Sequence, residues 1–184
     1  VGRHSGDHGT ATGTLAWDQL EPIDATSVYF GRGGGATGIL DVPAGGTFLL
    51  GSAADPISYL RIGYHDNGGH SGTASADLDF TETDPTFTAY VDTELSIGRK
   101  ASYYGGAADG SLTLGHNSTL HLGTVDALAN LHIGWNQSVS SGPTSTVAGL
   151  FDATHGTPDL HLNELNVGRH SGDHGTATGT LAWD

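Results

Sequence analysis

The sequence has 184 residues, of which 30 are glycine and none is cysteine or methionine, so disulfide and thiol chemistry are excluded. Twenty acidic residues against six basic ones give a net charge of −14. This balance argues against a nucleic-acid partner, because phosphates require a cationic surface. No run reaches the ~18 apolar residues that a membrane-spanning helix needs.

Residues 1–18 read VGRHSGDHGTATGTLAWD, and residues 167–184 repeat the same letters without a substitution. The offset of 166 residues predicts a tandem array, in which residues 1–166 form one full period and residues 167–184 begin the next. A segment duplicated only once, or a gene fragment cut with an overlap, would give the same match. Repeats of this kind indicate a quasi-one-dimensional fold.

A shorter phrase, L-x-[IV]-G, recurs along the chain. It occurs as LRIG (60–63), LSIG (95–98), LHIG (131–134) and LNVG (165–168), with VYFG (28–31) as a looser copy and the opening VG as the tail of another. The phrase glycines are separated by steps of 29, 32, 35, 36 and 34 residues, so we predict five coils in one period.

Residues 110–134 show the composition of one coil most clearly. Three short alternating segments, SLTLG, TLHLG and NLHIG, are separated by turn-forming residues. Each alternation places Leu or Ile on one side and Thr or His on the other, as in a strand. Only TVDALANL (124–131) hints at helical spacing, and we interpret it as a corner or a single helical turn.

Three short strands in a coil of 29–36 residues predict an all-β fold, a three-sided parallel β-solenoid. Each strand is expected to bond to its equivalent one coil away at roughly 4.8 Å, around a continuous core of Leu, Ile, Val and Ala. A right-handed coil is expected because parallel crossovers take that hand. A sandwich or a propeller is disfavoured because both require steadier hairpin signals such as Asn-Gly.

The L-x-[IV]-G phrases and the GSLTLG and TLHLG strands resemble, over the whole chain, the glycine-rich β-solenoid repeats of certain large secreted bacterial proteins. These are adhesins, autotransporter passenger-like proteins and extracellular matrix fibres. The resemblance implies an extended rod outside the cell that acts as a fibre, a stalk or an adhesin. It carries no catalytic residues over to this chain.

The residue after each phrase glycine is expected to form a ladder along one corner of the coil. These residues are Arg3, Arg32, Tyr64, Arg99, Trp135 and Arg169. Arginines and aromatic rings one coil apart are suited to cation–π contact within about 6 Å. The same corner holds Lys100, Tyr103 and Tyr104, which predicts one basic and aromatic ridge. The ridge either stiffens the rod or contacts a neighbouring filament or a polysaccharide.

Histidine-rich and acidic corners are candidate metal sites. The corner YHDNGGHSG supplies His65, Asp66 and His70, and RHSGDHG is similar. Asp41 and Asp79 are expected on neighbouring coils, where a bridging Ca²⁺ would relieve their mutual repulsion. Neither corner matches a recognised ligand spacing, and ordinary turn chemistry explains the same letters. We therefore expect no cofactor, with Ca²⁺ as the alternative.

Two further groups of surface residues stand out. His121 and His161 are expected at the outward position of equivalent strands in adjacent coils, as solvated surface residues, with stacking of the two rings as the alternative. Asn117 and Asn136 begin two N-glycosylation triplets, which also arise by chance at this composition.

Catalysis is the least favoured class of function. Ser, His and Asp are scattered through loops, without a nucleophile elbow or a phosphate-binding glycine loop. We predict an extracellular structural fibre or stalk, not an enzyme, whose partners are copies of itself along the axis and laterally. An adhesin or carbohydrate-binding stalk is the alternative, and a polysaccharide-acting enzyme is a distant third.

Overall fold

The computed structural model describes residues 1–5, 9–66, 71–102, 105–137, 145–171 and 174–184. In chain order the strands are β1 (Ala11–Ala16), β2 (Ser27–Arg32), β3 (Ala36–Asp41), β4 (Thr47–Leu50), β5 (Ile57–His65), β6 (Thr73–Asp79), β7 (Thr86–Lys100), β8 (Gly106–Thr113), β9 (Ser118–Leu122), β10 (Ala129–Asn136), β11 (Ser145–Asp152), β12 (Thr157–Leu160), β13 (Leu162–Val167) and β14 (Thr176–Ala182). Over these ranges every element is a strand, as predicted. No helix long and apolar enough to cross a bilayer occurs in the described ranges.

The strands stack in parallel into three walls of a β-solenoid, as the sequence predicts. The first wall is a six-stranded sheet in the order β1-β3-β6-β8-β11-β14. The second wall contains β4, the beginning of β7, β9 and β12. The third wall contains β2, β5, the end of β7, β10 and β13.

The recurring phrase sets the register of the third wall. Leu60 lies opposite Leu95, which lies opposite Leu131, and Leu131 lies opposite Leu165. Each copy of the phrase therefore stacks on the next, and its Leu and Ile side chains point inward together. The number of coils in a period and the right-handed sense of the coil stay predictions.

Two corners differ from a regular three-strand coil. Strand β7 runs through the second and third walls as one element of 15 residues. At the equivalent place in the following coil, residues 123–128 form a corner, closed by hydrogen bonds that Thr124 and Ala127 exchange through their backbones. The helical hint in TVDALANL is therefore a corner, because this reciprocal pairing turns the chain sharply towards β10.

The main core is apolar and continuous along the axis. Its largest side chains belong to a stack of rings, in which Phe48 and Phe80 both lie against Phe87 at centroid distances of 5.9 and 4.3 Å. Leu95, Ile97, Leu131 and Ile133 of the third wall complete it. A coil removed from this stack would expose its apolar side, so the coils stabilise one another.

The phrase glycines form a seam where the third wall touches the first. Gly98 has a φ of 61°, in the left-handed region that side chains disfavour. A Cβ there would overlap the carbonyl oxygen of Ala148 in the first wall, and a Cβ on Gly149 would overlap the Gly134 backbone. The recurrent glycine is therefore required because the two walls meet backbone to backbone.

A second, polar compartment lies beyond the seam. His65, Lys100 and Asn136 follow one another in register and are all fully buried. The first wall contributes Ser145, which accepts a 2.9 Å hydrogen bond from Asn136. Ala108 of the first wall is also buried but does not belong to the main apolar core.

Candidate functional site

The residues that follow the phrase glycines form a ladder on the side of the third wall that faces away from the apolar core, although Tyr64 and Trp135 are only 7% and 9% exposed. Arg32 pairs in register with Tyr64, Tyr64 with Arg99, and Arg99 with Trp135. Arg3 joins the lower end through a bridge to Arg32. The positive φ of each phrase glycine is the local reason that the next side chain points outward, because it shifts the alternation of the strand.

Cation–π contacts link the ladder along the axis. The Arg99 guanidinium lies 4.4 Å from the Trp135 ring centroid and 5.8 Å from that of Tyr64. Arg169 lies 5.0 Å from Trp135 on the next coil. These separations fall within the range of attraction between a cation and an aromatic face. Trp135 is thus shared between two arginines of the ladder.

A second row of side chains completes the surface, and the sequence reasoning missed it. Arg61 lies 4.5 Å from the Tyr59 ring and 4.6 Å from the Tyr64 ring, and it donates to the Tyr29 hydroxyl at 3.1 Å. Arg61 occupies the x position of the phrase LRIG, which faces outward between two inward residues. That alternation is the signal by which this row could have been found.

Glu94 neutralises the centre of the ladder. Its carboxylate accepts from Arg61 Nε at 2.9 Å and from Arg99 Nη1 at 2.6 Å. Burial alone would raise the pKa of Glu94, but the charges of Arg99 and Arg61 outweigh burial and lower it. The carboxylate therefore stays ionised, and both guanidinium groups are paired where little water reaches them.

His132 lies beside Glu94 as a neutral imidazole. Its ring is 2% exposed and contacts Trp135 at a centroid distance of 4.2 Å. Asn166 Nδ2 lies 2.8 Å from His132 Nδ1, so Nδ1 accepts and the proton belongs on Nε2. Burial lowers the pKa of His132 to about 4, although the nearby Glu94 opposes the shift.

Two further arginines of the ladder, one towards each end, are also paired with carboxylates. Arg32 forms an ion pair of 2.7 Å with Asp66 at one end, and Arg169 forms one of 2.6 Å with Glu164 at the other. Arg32, Arg61, Arg99 and Arg169 thus all have carboxylate partners within the chain. The arrangement binds coil to coil and leaves little unpaired charge for an outside ligand.

The prediction for Lys100 is wrong, because this residue points into the molecule. It is fully buried, and its Nζ donates to the Ser102 carbonyl at 2.9 Å and to Ser102 Oγ at 2.8 Å. Burial lowers the pKa of Lys100 to about 8. The physical reason is alternation, since Arg99 faces outward and the next side chain must face inward. Tyr103 and Tyr104 lie outside the described residues.

The described candidate ligands of the YHDNGGHSG corner, His65 and Asp66, lie in different surroundings. His65 is buried, with Nδ1 3.0 Å from Ser102 Oγ, whereas Asp66 faces outward and is paired with Arg32. His70 lies outside the described residues, as do Asp7 and His8 of the corner RHSGDHG. Alternation thus places His65 and Asp66 on opposite sides of the strand end, and a metal site at this corner stays a prediction.

Asp41 and Asp79 lie exposed at the ends of β3 and β6. The pairing of these strands covers only Thr37 with Ser75 and Gly38 with Ala76. The Asp79 carboxylate accepts from the Thr81 backbone at 2.8 Å, which is ordinary turn chemistry. Among the residues described, no three His, Asp or Glu side chains are grouped to hold a metal ion. A Ca²⁺ site stays a prediction.

A groove on the second wall is the other candidate site. Tyr90 and His121 stack with centroids 4.4 Å apart and an angle of 9° between rings. His121 Nδ1 lies 3.1 Å from Asp159, which lies 3.2 Å from His161 Nε2. His121 does not stack on His161, because the register places Asp159 opposite His121 and His161 at the corner after β12. Both histidine side chains are partly exposed, at 32% and 33%.

Two cavities meet at Tyr90. One, of about 280 Å³, is lined by Tyr90, His121 and Asp159. The other, of about 370 Å³, lies towards β4, where Leu49, Gly51 and Ser52 line it. Since β4 and β9 flank β7 on opposite sides, one face of the Tyr90 ring is covered by His121 and the other faces this second cavity. An aromatic face beside hydroxyl groups is suited to a sugar ring.

The two glycosylation triplets differ in accessibility. Asn117 is exposed, and its side chain donates to Asp84 at 2.9 Å. Asn136 is fully buried and bonded to Ser145. Only Asn117 can carry a glycan without opening the fold.

Comparisons of the chain with protein-family models, with curated proteins and with solved structures give no match. The functional argument therefore depends on the geometry above.

Proposed function

We propose that the chain is a structural protein, a segment of an extracellular fibre or stalk built from β-solenoid periods joined end to end. One observation carries the proposal. The same sequence segment lies at both ends of the first wall, as β1 and as β14, and it pairs through opposite edges. Gly13 of β1 lies opposite Gly38, and the identical Gly179 of β14 lies opposite Gly149.

The third wall has the same property. At one end, Gly31 N donates to Val1 O at 2.9 Å and Arg32 N donates to Gly2 O at 2.8 Å. At the other end, Gly168, identical to Gly2, donates to Ile133 O at 2.9 Å. Each edge of the segment uses both donors and acceptors. Gly2 O and His4 N bond to the following coil, whereas Gly168 N and Arg169 O bond to the preceding one. One copy using both edges would join two periods without a break in the ladder.

The mechanical role follows from the contacts between coils. Backbone ladders, the apolar core and the chain of ion pairs from Arg32 to Arg169 all run along the axis. The net charge of −14 keeps neighbouring rods from associating without specificity. The repeat pattern, through its likeness to secreted bacterial fibres and adhesins, supports a location outside the cell and a role in a surface matrix.

The experiment is to compare chains that carry one, two and four periods by small-angle scattering and electron microscopy. A rod should lengthen by roughly 24 Å for each added period, from five strand spacings, at constant cross-section. A particle that thickens in all directions as periods are added would reject the proposal. Recovery of the native protein from the cell surface tests the location.

A carbohydrate-binding stalk is the second candidate, and the groove at Tyr90 favours it. The carboxylates of Asp92 and Asp159 line the groove, so a neutral sugar fits its charge better than an acidic one. Saturation-transfer NMR with neutral and acidic oligosaccharides tests this function. Binding of neutral sugars that Tyr90→Leu abolishes, and that Tyr29→Leu on the third wall preserves, would establish it. Equal signals from both variants would remove it.

A further inference from the structure

The basic side chains of the third wall are almost all satisfied within the chain. Lys100 is fully buried. Four arginines form ion pairs with carboxylates, and these are Arg32, Arg61, Arg99 and Arg169. The carboxylates on this side of the molecule are therefore already occupied, and the third wall is close to neutral.

The first wall has the opposite character. Its six strands contain no lysine, arginine or histidine, but they contain five aspartates, four of which are exposed. Alternation along β6 places these side chains outside, because Asp77 and Asp79 are exposed whereas Ala76 and Leu78 are buried. The five aspartates are Asp41, Asp77, Asp79, Asp109 and Asp152. The outer face of the first wall thus carries negative charge that no cation of its own strands compensates.

The molecule also has a high density of negative charge along its axis. The net charge of −14 is distributed over the length of the six strands stacked in the first wall. At roughly 4.8 Å for each strand, one net charge falls on about every 2 Å of the axis, close to the ~1.7 Å of double-stranded DNA. Two unit charges in water already interact by the thermal energy RT at about 7 Å. Small cations must therefore gather around this molecule, as they do around DNA.

The face around Asp77 is suited to a long basic side chain. A depression of about 420 Å³ lies there, lined by serine and threonine hydroxyl groups, by Ile39 and by the carboxylates of Asp77 and Asp109. Ile39 is 41% exposed, and Ser111 donates a hydrogen bond to Asp77. The surface thus offers carboxylates to a cation and an apolar contact to the aliphatic stem of a lysine or an arginine.

We propose that the outer face of the first wall binds an extended polypeptide segment in which lysine or arginine alternates with small residues. Asp77 and Asp79 are two positions apart on β6, so they lie roughly 6.6 Å apart along the strand. Alternate side chains of an extended segment have the same spacing, so two of its cations can meet these two carboxylates. The inference goes beyond the proposed fibre, because it depends only on the fold and the charges of a single chain.

A chain of cations suits this face better than one metal ion. The part of the chain that the structure describes groups no three His, Asp or Glu side chains around one point, so the carboxylates are met one at a time. Each cation of the segment releases small cations that the rod has gathered, and this release favours binding. The third wall offers no such gain, because its carboxylates already have arginine partners.

The test uses a synthetic peptide in which four lysines alternate with threonine, and fluorescence anisotropy measures its affinity at several NaCl concentrations. The logarithm of the affinity should fall linearly with the logarithm of the salt concentration, with a slope of about −0.9 for each lysine in contact. The variant Asp77→Asn, Asp79→Asn removes two charges and keeps the hydrogen bonds that these side chains accept. It should bind about tenfold more weakly at low salt, with a slope that is smaller by about two.

The matched control is Asp66→Asn with Glu164→Gln, which changes the net charge equally but removes carboxylates that are paired with Arg32 and Arg169. It should leave the affinity and the slope nearly unchanged, and thermal unfolding verifies that both variants keep the fold. Equal weakening by the two variants would overturn the inference, because only the total charge would then matter. Absence of binding, or an affinity that salt does not change, would also overturn it. Since a single chain is measured, failure here is distinguishable from failure of rods to lengthen.

Discussion

Glu94 and Arg99 belong to the same strand and form an ion pair in which Nη1 lies 2.6 Å from Oε2. Their side chains are only 10% and 12% exposed. The phrase glycine between them allows this contact, because it turns Arg99 outward on the side that Glu94 occupies. The phrase LSIG therefore has two roles: its Leu and Ile fill the core, and its glycine directs Arg99 towards Glu94 on the other side of the wall.

Replacement of Glu94 by Ala should be among the most destabilising surface changes in the molecule. It leaves Arg61 and Arg99 without their shared carboxylate, and an uncompensated, largely buried charge costs about 3–5 kcal/mol. Urea unfolding should show this loss. Glu164→Ala is the matched control, because it removes an ion pair to Arg169 whose side chains are 44% and 41% exposed. Equal losses in the two variants would contradict the central role of Glu94.

Gly98→Ala should destabilise the fold by about 3 kcal/mol or more, because strain at positive φ adds to overlap with the Ala148 carbonyl. Gly45 supplies the control. Its φ is 68°, yet a Cβ there meets nothing within 4 Å, so Gly45→Ala should cost only the strain, about 1 kcal/mol. Thermal or urea unfolding measures both. If the two variants lose equal amounts of unfolding free energy, close contact between the walls does not require glycine at position 98.

The stability of the fold should fall as the pH drops from 6.5 towards 4, partly through His132. Its pKa falls from 6.5 to about 4 on folding, so within this interval the unfolded chain binds the proton and the folded chain does not. The stability that comes from neutral His132 is fully present above pH 6.5 and is lost as the pH falls through the folded pKa. The total loss in unfolding free energy is about 3 kcal/mol. His132→Gln should flatten this part of the curve of unfolding free energy against pH. An unchanged slope would contradict the prediction.

Lys100 should make the stability rise with pH in the alkaline range. Its pKa falls from 10.5 to about 8 on folding. Between these values the unfolded chain holds the proton that the folded chain has released, so stability increases as the pH rises from 8 to 10.5. Unfolding in urea at several pH values measures the slope, which Lys100→Met should remove. A slope of the opposite sign would show that the buried amine keeps its proton.

The parallel solenoid could be predicted from the sequence because the residues that specify it recur in short segments at a regular spacing. Leu60, Leu95, Leu131 and Leu165 recur in one phrase, and equal phrases stack in register. The ladder of Arg32, Tyr64, Arg99 and Trp135 followed from the same spacing. Alternation along a strand and repetition between coils need no knowledge of distant contacts.

The directions of side chains at the corners depended on the tertiary structure. Lys100 and His65 are buried because the preceding phrase glycines, Gly98 and Gly63, reverse the alternation of side chains along the strand. These positions are glycine because the first wall lies against them. The partners of Glu94 also come from this geometry, since Arg61 lies 33 residues away on another coil. The sequence alone therefore specifies which residues recur, whereas the distance between walls decides which of them face water and which face one another.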